Sequence, residues 1–200
     1  LARYVFRRTV SVSVAEQLQV SGALQAPQRA SGNQLGVLDD GSLELDMGGD
    51  GLPRSLRIGS VSHTASADAD VDACLLWRQQ DLQLGLVRLD DSQLESWTPQ
   101  QLGLDRLGAY SVRKGCYPGQ EIVARTHFLG KAKRATALLT TTIAASSGAT
   151  VQQGQRDVGQ LVSVAGTQAL AVMPLEPGDG ELSVDGAAAH TLPLHTGLAR

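Results

Sequence analysis

Aromatic side chains make up only 4% of this 200-residue chain. Its cores therefore have to be filled mainly by Leu, Val and Ala. Cysteine is scarcer still, with Cys74 and Cys116 standing far apart. Extracellular disulfide scaffolds carry more, so a reducing compartment is expected. Two lone thiols also cannot build a four-cysteine cluster or zinc site within one chain, so no metal held by this chain alone is expected. No apolar run approaches the ~20 residues that span a bilayer, and no charged start leads into an apolar signal core. A cytoplasmic protein with no membrane partner is the expectation. The formal charge of −3 argues against direct nucleic-acid binding.

What remains is an ordinary soluble balance, 42% hydrophobic and 18% charged residues, in a length that suits one large domain or two small ones. The chain opens at Leu1, and residues 4–14 already read as a strand, which suggests a fragment or a processed chain. Residues 17–20 alternate again, the period of a half-buried strand. Pro27 and Gly32 make 23–38 a loop or an interrupted helix. Asp39-Asp40-Gly41 is a turn signal before a short strand at 42–46. A second turn at 48–51 precedes a strand through Leu56, Ile58 and Val61.

Asp68 and Asp70 then lead into Val71, Cys74, Leu75 and Leu82, whose spacing predicts one apolar helix face with Cys74 in the core. Acids suit the positive end of a helix, and Gly85 suits the position just past its end. From 90 to 108 no period is sustained, and connections of that length are often functional. After Arg134 eight glycines separate short stretches rich in Val, Leu and Thr, at 137–143, 158–164, 168–173 and 181–184. That spacing predicts a small barrel or sandwich. The fold class is α+β, with an α/β part over 1–130 and a small C-terminal β-barrel over 131–200.

Chemistry concentrates in Lys114-Gly115-Cys116-Tyr117-Pro118-Gly119-Gln120-Glu121-Ile122-Val123-Ala124-Arg125. Pro118 suits the first position of a helix, and Glu121 with Arg125 makes an i,i+4 ion pair. Cys116 then precedes a helix N-terminus with Lys114 nearby, and both favour thiolate over thiol. A buried cysteine acting as a small hydrophobe is the competing reading. From 113 to 134, six basic residues face one acid, an asymmetry that would attract an anionic ligand or an acidic partner. His127 lies nearest the motif, and a plain surface histidine is its simplest reading.

The run KGCYPGQEIVAR resembles the signature of the YgfZ branch of the GcvT-like folate-binding proteins. Lys114, Gly115, Cys116, Tyr117, Gly119, Gln120, Glu121 and Arg125 occupy its fixed positions. Trp97-Thr98-Pro99-Gln100 and Leu107-Gly108-Ala109-Tyr110-Ser111 resemble two further family segments, and Trp77 resembles a tryptophan credited with contacting folate. The resemblance implies a tetrahydrofolate-binding protein that supports iron–sulfur cluster assembly or repair, including for enzymes that modify tRNA. It implies Cys116 and Lys114 as the reactive pair, Trp77, Gln83, Tyr117 and Arg125 as cofactor contacts, and iron–sulfur carrier or client proteins as partners. Gln83 falls where related aminomethyltransferases place a pterin-binding glutamate; a glutamine keeps one acceptor and gains donors. Two other functions stay open: a glycine-cleavage-type aminomethyltransferase, and a non-catalytic interaction module.

Overall fold

The turn signal at Asp39-Asp40-Gly41 is used as expected: Gly41 takes a positive φ of 79°, and the chain reverses between two paired strands. The computed structural model describes residues 11, 13–60, 70–115, 119–130 and 132–198. The described residues up to Met47 and those from Pro53 to Ser60 form one compact unit. Gly48–Leu52 and the described residues from Asp70 onward form a second.

The first unit is a four-stranded antiparallel sheet of β1 (Leu18–Ala23), β2 (Gly36–Val37), β3 (Leu43–Asp46) and β4 (Ser55–Ser60), in the order β1-β4-β3-β2. Residues 23–38 form no helix. A carboxylate organises that loop instead: buried Glu44 on β3 accepts the backbone N–H groups of Gln28, Arg29 and Ala30 at 2.9, 2.7 and 3.0 Å. Three donors on one anion outweigh the cost of burying it, so burial, which raises its pKa, is overcome and the carboxyl is held below its ordinary range. Of the strand expected at 4–14, most lies outside the described residues, and Ser13, Val14 and Ala15 belong to no strand. Val61 also lies outside them.

In the second unit, α1 (Val71–Gln83) starts at Asp70, whose side chain accepts the N–H groups of Asp72 and Ala73. It stops at Gly85, whose φ is 72°, the left-handed exit that glycine makes at little cost. Its covered stripe differs from the expected one. Leu82 is buried, and Gln79 and Gln83 reach Ala165 O and Gln168 Oε1 on the barrel. Val71 is 77% exposed and Cys74 is exposed, so the expectation of a core cysteine is corrected. Four apolar residues cannot say which side of a helix meets a neighbour when polar side chains make the contacts.

The barrel is closed by β5 (Arg134–Thr141), β6 (Thr150–Gln153), β7 (Arg156–Ala165), β8 (Gln168–Pro174), β9 (Leu182–Val184) and β10 (Ala187–Leu192), in the order β10-β5-β8-β7-β6-β9. Every pair is antiparallel, and closure leaves no open edge. β8 shows why its sequence is continuously apolar. Ala169, Ala171 and Met173 pack with Leu139, Val151, Leu161, Val184 and Ala189 in one cluster. Leu170 and Val172 pack with Leu82, Leu102, Leu138 and Val162 in another. Successive strand residues point to opposite faces, so β8 is covered on both. Small residues fill the barrel where bulky aromatics are lacking. Gly159 is one requirement of this fit, because a Cβ there would lie 2.7 Å from Val172 O.

The long connection at 90–108 is strapped to the barrel. Buried Gln93, in a 3₁₀ turn at Asp91–Gln93, donates to Leu161 O at 3.4 Å and accepts the Trp97 indole N–H at 3.0 Å. Leu102 is buried, and Thr136 Oγ1 donates to Gln101 O at 2.9 Å.

Candidate functional site

The segment with the densest chemistry ends in α2 (Gln120–Leu129). Its N-cap is Gly119, with a φ of 83°, in the left-handed region where a side chain is strained. No side chain caps this end. The helix begins two positions after the start expected from Pro118. Cys116, Tyr117 and Pro118 lie outside the described residues. Lys114 and Arg125 are exposed, and the ion pair expected between Glu121 and Arg125 does not form among the described residues. Val123 is the buried residue of α2, and its carbonyl accepts Gln100 Nε2 at 2.9 Å. That bond ties the helix to the strapped connection.

Between this connection, α2 and the start of β5 opens a cleft of about 790 Å³. Arg106, Arg113 and Arg134 line it against one acid, Asp105. Tyr110, Ser111 and His127 add polar atoms, and Val112, Ala135 and Leu194 supply apolar wall. The His127 ring meets Phe128 edge-on, with centroids 4.8 Å apart.

The three arginines are not equivalent. Arg106 is a brace, donating to His195 O and Leu84 O, both at 2.6 Å. Burial pushes its pKa down, while the charges of Asp105 and Asp50 push it up. Asp50 extends this brace: its carboxylate accepts the Thr196 backbone N–H and, at 2.8 Å, the Thr196 hydroxyl. Those bonds, then the charges of His195 and Arg106, hold Asp50 below its ordinary range. Arg134 donates Nη1 to Val158 O at 3.0 Å, and the Arg113 side chain makes no hydrogen bond or ion pair among the described residues.

The residues singled out in the sequence divide. Arg113 and Arg134, from the basic stretch, line the cleft, as does His127. Lys114, Arg125, Trp77 and Gln83 do not. Trp77 is half-buried on α1, and Gln83 is half-buried at its end, donating Nε2 to Gln168 Oε1 at 3.2 Å. Six residues at 100° each place these two about 120° apart around the helix. The bond to Gln168 engages one of the two N–H donors of the Gln83 amide. Arg106 was not legible as a site residue, because it stands in no motif with a local spacing rule, and Tyr110 lies in the Leu107–Ser111 segment without a role assigned to it there.

One comparison with known proteins bears on this unit. Residues 132–195, which include all six barrel strands, match the family model described as CAF17, C-terminal beta-barrel domain.

Proposed function

We propose that the chain supports iron–sulfur cluster assembly or repair, with Cys116 as its functional thiol and tetrahydrofolate as its cofactor. The observation that carries this reading is an adjacency. The motif from Lys114 to Arg125 runs directly into the barrel whose residues 132–195 resemble the CAF17 C-terminal domain. Two independent likenesses thus meet within a few residues of each other.

The chemistry is compatible with one thiol. A single cysteine thiolate can donate one ligand to a cluster whose remaining ligands belong to a carrier protein. The cluster is then cargo passing between partners. Gly119 turns the chain into α2, so Cys116 stands four residues before a helix whose first N–H groups have no side-chain cap. Lys114 supplies a cation two residues away in sequence. Both features favour an anionic sulfur. For tetrahydrofolate, which would bring a one-carbon unit, Trp77 offers a half-buried indole face, and ring stacking there contributes about 1 kcal/mol beyond area burial. No described helix is long and apolar enough to cross a membrane.

A reconstitution tests the thiol. A cluster-loaded carrier and an apo client enzyme are incubated without oxygen, with and without this protein, and client activity is followed. Faster reactivation by the native protein and none by Cys116→Ala is expected; equal reactivation by both would remove Cys116 from the function. Tetrahydrofolate is titrated separately against tryptophan fluorescence. Quenching that survives in Trp77→Phe would displace Trp77 from the cofactor site.

A further inference from the structure

The cleft beside α2 has a charge pattern that the braces of the fold do not explain. Arg106 is engaged twice by backbone carbonyls and lies in the field of Asp105 and Asp50. Arg113 and Arg134 have no carboxylate partner among the described residues. Arg134 spends one donor on Val158 O, and a guanidinium carries five. Among the described residues the cleft therefore presents two cations without a carboxylate pair, one of them with its whole fork available.

Its walls are not those of a plain phosphate cradle. Val112, Ala135, Leu175 and Leu194 line the same space, whose volume of about 790 Å³ exceeds what a small inorganic anion would fill. Volumes of several hundred Å³ with apolar walls and a few placed polar groups are typical of sites for organic ligands. A guanidinium fork matches the two oxygens of a carboxylate or phosphate.

We propose that this cleft is a receptor site for an organic anion, with an apolar body against the Val112 and Leu194 side and an oxyanion head on Arg113. Arg134 contributes charge, and Arg106 holds the wall in place. Of the proposed folate contacts, the three among the described residues, Trp77, Gln83 and Arg125, do not line it. It goes beyond the cluster-maintenance function and does not depend on it.

Three probes share one body and differ in the head: 2-naphthyl phosphate, 2-naphthoate and neutral 2-naphthamide. Binding to the whole protein is measured by calorimetry at low and at physiological salt. At least one anion is expected to bind, more weakly at the higher salt, with the amide about tenfold weaker or worse. Whichever anion binds more tightly names the head group as phosphate or carboxylate. Arg113→Gln is expected to weaken the anion about tenfold, Arg113→Lys to fall between, and Lys133→Gln to leave it unchanged. The Arg113 side chain is exposed and has no partner among the described residues, so these variants keep the fold, checked by thermal melting. The proposal is overturned if neither anion binds, if the amide binds as well, or if Arg113→Gln and Lys133→Gln behave alike. The probes contain no pterin and no metal, so their failure leaves the Cys116 reading standing, and the reverse also holds.

Discussion

Arg88 grips the end of Asp81 with two donors on one oxygen: Nε and Nη2 approach Oδ2 at 3.0 and 2.8 Å. The carboxylate is 3% exposed and the arginine side chain 69% exposed, so nearly all the desolvation falls on the acid. Removing the arginine leaves a buried anion short of its partner, whereas the arginine itself remains hydrated. Arg88→Ala is expected to cost about 2 kcal/mol, less than a fully buried pair would, read as a lower denaturant midpoint at unchanged slope. No change in midpoint would show that the other contacts of Asp81 suffice.

Glu44 gives the first unit a pH dependence. Its folded pKa lies below its ordinary value, so the unfolded chain binds this proton more readily. The stability it contributes is complete above the ordinary glutamate pKa of about 4.3 and is lost as pH falls through the depressed value. Glu44→Gln keeps the shape but removes the charge that three N–H donors share. The variant is expected to melt at a lower temperature than the native protein at neutral pH, with the gap narrowing in strong acid. A gap that is constant with pH would contradict the assignment.

A backbone approach sets the next expectation. A Cβ on Gly49 would lie 2.1 Å from Gly197 O, and backbone cannot rotate away as a side chain can. Gly49→Ala should therefore displace the segment that Asp50, Thr196 and Arg106 hold. Faster proteolysis after residue 193, with little change in far-UV signal, is the expected result. Native-like resistance would show that the turn has room to yield.

Thiol chemistry has to be measured with one sulfur at a time, because Cys74 is exposed and free. In a Cys74→Ser background, alkylation followed against pH reports Cys116 alone. A midpoint below the ordinary cysteine value of about 8.5 is expected, rising when Lys114 is changed to Gln. A midpoint at or above that value would remove the activated nucleophile.

Where local chemistry decided the outcome, the sequence was legible. The stretches at 158–164 and 168–173 lie within barrel strands and that at 181–184 contains the strand Leu182–Val184, because β-rich runs between turn glycines leave the chain few alternatives. The strands Thr150–Gln153 and Ala187–Leu192 were missed; Gln-rich and Ala-rich segments carry weak strand propensity and are held by their neighbours. The helix after Asp70 was legible from the acids before it, its apolar spacing and its glycine exit. Its buried face was not, since Gln79 and Gln83 make contacts that a hydrophobic pattern does not register.

The sequence alone determined the alternation that makes strands, the turn glycines, the cap at Asp70 and the twelve-residue motif around Cys116. These depend on backbone conformations and neighbours a few residues apart. Only the tertiary structure decided that Cys74 faces solvent, that Arg106 is committed to carbonyls, and that Arg113 and Arg134 share a cleft in which neither pairs with a carboxylate among the described residues. Those outcomes depend on which distant surfaces meet, and a charge cannot be read as free or spent until its neighbours in space are known.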